Sequence, residues 1–143
     1  MAGRPAPALR GPRPGLSGSA RGLLAQARSV LAEAAAADSA ADRFRLAHLA
    51  ALRTAAVVFA ERGRPASARR RLVSAWVLVE SVAPEFSEWA GYFAAGAAAR
   101  AAVEAGAVSA VTTRDADDQL RAAGEFLMLV EGSLGLLAVP LAS

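Results

Sequence analysis

Between Asp42 and Arg62 the chain reads DRFRLAHLAALRTAAVVFAER. At about 100° per residue, Phe44, His48, Ala51, Leu52, Ala55 and Phe59 share one helical face. Leu46, Leu49, Ala50 and Val57 make a second apolar strip on the far side. A helix that is apolar nearly all round packs against several neighbours, so this stretch is expected at the centre of a helical bundle with the other helices around it.

The flanking segments have the same period. Leu23, Leu24, Ala27, Val30, Leu31 and Ala34 predict a helix from Ser19, its N-cap, to about Asp38. Ser39 with Asp42 resembles a capping box for the central helix, and Gly63 is placed to end it. Pro65 suits the first turn of a third helix, which runs to about Val82 through Leu72, Ala75, Trp76, Val79 and Val82 before Pro84 stops it. Glu85 to Glu88 form a connection of at most one helical turn. Ser87 is expected to cap a fourth helix from Glu88 to Ala105, terminated by Gly106. In it Trp89, Phe93 and Val103 are the large apolar residues, and Gly91, Ala95, Ala98 and Ala102 form a small-residue strip fit for close helix approach. After a linker, Thr112 or Thr113 caps the last helix, whose buried stripe is read as Leu120, Ala123, Leu127 and Val130, flanked by Ala116, Phe126 and Leu134. Gly132 and Gly135 weaken the helix toward its C-terminal end. Nothing alternates as a strand would. The expected fold is all-α, an up-and-down bundle of four to five helices.

At 143 residues the chain fits one domain. Residues 1–18, rich in Pro, Gly, Ala and Arg, read as a disordered tail; residues 19–135 form the bundle and 136–143 a C-terminal tail. All 16 basic residues are arginine, and Lys, Asn, Ile and Cys are absent. Such a bias points to GC-rich coding, as in a high-GC bacterium, so the abundance of Ala and Arg carries no functional information by itself. The net charge of +3 is uneven. Arg4, Arg10, Arg13 and Arg21 fall in the first 22 residues with no acid, leaving 12 arginines against 13 Asp and Glu in the rest. The bundle is therefore not basic.

Without cysteine there is no disulfide or thiol chemistry, and a lone histidine does not build an imidazole zinc centre. No stretch has the form of a secretion signal or the clean apolar length of a membrane span, so a cytoplasmic protein without a membrane partner is expected. No cofactor or metal is expected either. Three clusters carry candidate chemistry. His48, with Arg43 or Arg45, has the residue types for general acid–base cleavage of RNA, histidine titrating near neutrality and arginine steadying a phosphate. On a continuous helix Arg43 and His48 diverge by about 140°, and the alternative is a neutral core histidine. Arg62, Arg64, Arg69, Arg70 and Arg71 form a candidate phosphate or partner-binding surface. Asp115, Asp117 and Asp118 suit a helix N-terminus better than a metal.

The stretches ADRFRLAHLAALRTAAVVFAERGRPASARRRLVSAW, WAGYFAAGAAARAAVEAG and VTTRDADDQLRAAGEFLMLVEGSL resemble, over about residues 20 to 135, the HEPN family of small helical bundles, most closely uncharacterised actinobacterial members. The resemblance implies a link to RNA or nucleotide biology and a homodimer. Ribonuclease members use an Arg-x4–6-His motif near the start of later helices, brought together across the dimer. Here Trp89 to Asp118 contains Arg100 and Arg114 and no histidine, while Arg43 and His48 match the spacing in an earlier helix. The expectation is a noncatalytic binding module with RNA, nucleotide or protein as partner, the alternative being a metal-independent endoribonuclease using His48. Trp89, Tyr92 and Phe93 exceed what one helix needs for its own core, which a dimer interface would explain.

Overall fold

The computed structural model describes residues 16–63 and 74–135. Five α-helices and two 3₁₀ turns succeed one another, with no strand among the described residues: α1 (Gly18–Ala36), α2 (Ala40–Arg62), α3 (Ala75–Val82), a turn at Pro84–Phe86, α4 (Ser87–Glu104), a turn at Val108–Ala110, and α5 (Thr113–Ser133). The all-α bundle is as expected.

Helix ends are set by local chemistry. Ser17, rather than Ser19, caps α1, its side chain accepting from the Ala20 amide, and the helix stops at Ala36 instead of Asp38. Leu16 packs on the core beside it. Ser39 accepts from the Asp42 amide at the start of α2, and Gly63 closes that helix at φ 83°, a conformation that favours glycine. The third helix does not run unbroken from Pro65. Ser74 has extended backbone and caps α3 by accepting from the Trp76 amide, and Pro65 and Leu72 lie outside the described residues. Ser87 is the first residue of α4 and not its cap; its hydroxyl donates to the Pro84 carbonyl across the 3₁₀ turn. Thr112 and Asp115 form a reciprocal capping box at α5.

Helix α2 is central, with α1 and α5 along most of its length and α3 and α4 on its remaining sides. Ala41, Phe44, Ala47, His48, Ala50, Ala51, Thr54, Ala55, Val57 and Val58 are all buried, the consequence of an apolar surface that continues round the helix. A helix so rich in alanine lets its neighbours approach closely, and the large side chains come from them. Trp76 of α3 stacks on Phe93 of α4 (5.0 Å between centroids), and Phe126 of α5 meets Phe93 at 5.8 Å and Phe86 at 5.6 Å. A smaller cluster of Ala41, Phe44, Val103, Val111 and Ala116 closes the end where α2, α4 and α5 converge.

The buried stripe of α5 keeps Ala123, Leu127 and Val130 as expected, with Ala116 and Phe126 beside them, and differs in taking in Gln119 in place of Leu120, which is half-buried. The small-residue strip of α4 does not receive another helix among the described residues: Gly91, Ala95 and Ala98 are exposed and Ala102 half-buried.

Candidate functional site

His48 lies in the core, 1% exposed. Trp76 and Phe93 approach its ring edge-on, at 5.9 and 6.1 Å. Its Nδ1 lies 3.1 Å from Nε2 of Gln119, itself 1% exposed. An amide NH2 donates, so Nδ1 accepts and the ring proton sits on Nε2. Burial holds the histidine pKa down to about 4, with the positive charge of Arg100 adding to the effect. At neutral pH the ring is uncharged. A proton donor or acceptor working on a substrate needs access and a pKa near the working pH, and His48 has neither.

The two arginines nominated beside it do not join it. Arg43 reaches back to the end of α1, donating to the carbonyls of Ala34, Ala35 and Ala37, and pairs with Asp117 of α5 at 2.8 Å. It satisfies carbonyls that a helix C-terminus leaves without intrahelical partners and ties three helices together. Arg43→Ala is therefore expected to lower unfolding stability by about 1–3 kcal/mol. Urea titration checks this, and a loss below about 0.5 kcal/mol would show the bonds to be solvent-compensated surface contacts. Arg45 sits at the surface, 3.4 Å from Asp42.

Arg62 pairs with Glu85 at 2.6 Å and lies over the Phe86 ring; its guanidinium holds the Glu85 carboxyl below the usual range. Arg64, Arg69, Arg70 and Arg71 lie outside the described residues. The acidic trio separates: Asp115 serves the capping box, Asp117 pairs with Arg43, and Asp118 pairs with Arg121 at 3.0 Å. No cluster of three potential metal ligands occurs among the described residues, and no described helix is long and apolar enough to cross a membrane.

A surface cleft brings Trp89, Tyr92 and Asp118, noted in the sequence, together with Arg121, Glu125 and Gln119, which were not. The backbones of α4 and α5 stand apart, and between them runs a cleft of two joined parts. One, of about 700 Å³, is lined by Glu88, Trp89, Gly91, Tyr92, Asp118, Arg121, Ala122 and Glu125. The other, of about 300 Å³, shares Tyr92 and Asp118 and reaches Gln119, Gly96 and Phe44 at its floor. The one signal for Gln119 in the sequence was a polar residue in register with Ala116 and Ala123 on an apolar helix face.

A model of the SAV_6107-like HEPN family matches residues 34–131, most of the chain and nearly the whole of α2 to α5. The chain belongs to this HEPN family. No curated protein and no solved structure matches it. The matched span of the HEPN domain begins at the last turn of α1 and ends at Glu131, so it includes His48, Gln119 and the α4–α5 cleft.

Proposed function

We propose that this HEPN domain is a noncatalytic interaction module that self-associates through the outer face of α4. The observation that carries the reading is that Gly91, Ala94, Ala95, Ala98, Ala101 and Ala105 are all exposed on one side of that helix, with no charged residue among them. These positions cover a continuous sector running the length of α4. Most exposed helix faces carry charged residues opposite the buried stripe. A face of Ala and Gly lets a second helix come to short range, and two copies related by a two-fold axis would cover it with the same residues. The partly exposed Tyr92 borders the same helix face.

The noncatalytic part of the reading is supported by the neutral, enclosed His48 and by the use of Arg43 as a tie between helices. The endoribonuclease alternative requires His48 to meet a substrate beside Arg43 or Arg45. A link to RNA or a nucleotide rests on the arginine run from Arg62 to Arg71, and salt-dependent RNA binding lost when Arg69, Arg70 and Arg71 become Ala would support it.

Self-association is tested by sedimentation equilibrium. The wild-type chain is expected to form a dimer, and Ala98→Glu, which places a charge at the middle of the face, to be a monomer with unchanged circular dichroism. A wild-type monomer at high micromolar concentration, or a dimer insensitive to the charge, would remove α4 as the interface.

A further inference from the structure

The outer side of α5 carries four charges whose order is unchanged when the helix is turned end for end and the signs are exchanged. Arg114, Asp118, Arg121 and Glu125 lie within about 60° of one another on the helical wheel. Arg114 and Glu125 stand about 8 Å to either side of the point midway between Gln119 and Leu120, and Asp118 and Arg121 about 2 Å to either side. Within one copy these charges are unevenly matched. Asp118 serves both Arg121, at 3.0 Å, and Arg114, at 3.9 Å. Glu125 makes no ion pair among the described residues, and the Arg114 side chain is 88% exposed. An antiparallel second copy completes the pattern, with Arg114 against the partner's Glu125 and Asp118 against the partner's Arg121, each pair occurring twice about a two-fold axis. A parallel pairing in register would set every charge against its like.

The neighbouring surface places the axis at the same level. Glu88 and Trp89 flank the cleft with Glu125, and Ala99 flanks it with Asp115, so α4 and α5 run in opposite directions side by side. Gln119 faces Gly96, where a Cβ would come 3.6 Å from the carboxamide. The midpoint of the charge pattern is therefore level with residue 96, within one turn of the centre of the uncharged α4 face between Gly91 and Ala105. Rotation about a single axis perpendicular to both helices lays α4 on α4 and α5 on α5. Exposed apolar residues fall into the same arrangement. Val108, 64% exposed, lies just before α5, and Met128 and Leu129, 55% and 43% exposed, lie near its other end. The reversal brings the Val108 end of one copy beside the partner's Met128 and Leu129, so that each covers apolar surface the other leaves in water.

We propose that a second copy of the chain packs antiparallel across α4 and α5 together, the small residues of α4 meeting at the centre and the charges of α5 pairing along one flank. This rests on the self-association proposed above, and adds the direction of the partner and the residues that select it. Exposed ion pairs contribute little affinity each. The α5 charges therefore act on orientation and partner choice, while the apolar surface supplies the contact.

Charge reversal with rescue tests the arrangement, read by sedimentation equilibrium of the full-length chain. Arg114→Glu and Glu125→Arg change exposed residues, so the circular dichroism of each variant is expected to match the wild type. Each single variant is expected to dimerise about tenfold more weakly or worse, because the reversed charge meets its like at two places in the dimer. Carrying both substitutions exchanges the signs and restores the pairs, and the dissociation constant is expected to return to within about threefold of the wild type. The two positions are about 16 Å apart along α5, too far to compensate within one helix. The double variant also keeps the wild-type net charge, so rescue reports a contact between copies. Mixing the two single variants is expected to give a heterodimer tighter than either homodimer. Single variants that dimerise like the wild type, or a double variant no tighter than the singles, would overturn the antiparallel pairing, and α4 would stand as an interface if Ala98→Glu still dissociates the dimer. A dimer that responds to the α5 charges and ignores Ala98→Glu would uphold the α5 pairing and remove α4 from the interface. A wild-type monomer at high micromolar concentration would overturn both.

Discussion

Phe93→Ala is expected to lower unfolding stability by about 4 kcal/mol, within the range for removing a fully buried phenylalanine. Phe93 is 0% exposed and stands where four helices meet, against Trp76 of α3, Phe126 of α5 and His48 of α2. The buried residues of α4 are Ala90, Phe93 and Val103, so Phe93 is the one fully buried large side chain of this helix, with the half-buried Trp89 packed beside the core. Truncation leaves a cavity lined by rigid rings, which collapse poorly around it. A domain of this size has about 5–15 kcal/mol in all, so the variant keeps a folded population only if the wild type lies in the upper part of that range. Urea denaturation measures the change, and Phe93→Leu, retaining most of the volume, is expected to lose about 1.5 kcal/mol or less. A loss for Phe93→Ala below about 1.5 kcal/mol would mean that α4 is held elsewhere.

The second large effect is a dependence on pH centred on His48. Its folded pKa of about 4 lies below the ordinary value of 6.5. Below pH 6.5 the unfolded chain takes up a proton that the folded chain refuses. Stability is therefore complete above 6.5 and falls as the pH drops, the loss ending below 4. Linkage gives a loss of about 2 kcal/mol from this residue by pH 5 and about 3 kcal/mol by pH 4. His48→Leu gives up the Gln119 hydrogen bond and is less stable at neutral pH, but its stability should lack this slope. Denaturation curves of both proteins at pH 7 and pH 5 isolate the term, because the carboxylates are common to both. Equal slopes would show that the histidine titrates normally and reaches water.

The same histidine marks how far the sequence could be read. The position of His48 among Phe44, Ala51 and Ala55 was legible from helical period, and so was its enclosure. Its partner was not. Gln119 lies 71 residues further along the chain, and whether residue 119 or 120 turns inward depends on a rotation of α5 by a fraction of a turn. Arg43 is similar: the wheel showed it diverging from His48, while its bonds to the end of α1 depend on a sharp joint at residues 37–39 that brings those carbonyls within reach. The cleft was illegible because it is a separation between helices, and a periodic pattern reports what each helix buries without saying how far apart two of them stand.

By itself the sequence determined the helices, most of their ends, the central place of α2 and the absence of thiol chemistry. These arise from local propensity, capping groups and the 3.6-residue period, all of which act over a few residues. Tertiary structure alone decided the neutrality of the buried histidine, the tying role of Arg43, the bare outer face of α4 and the acidic cleft with Gln119 at its floor. Each of these depends on distances and solvent exclusion between residues far apart in the chain, which are fixed only when the helices pack.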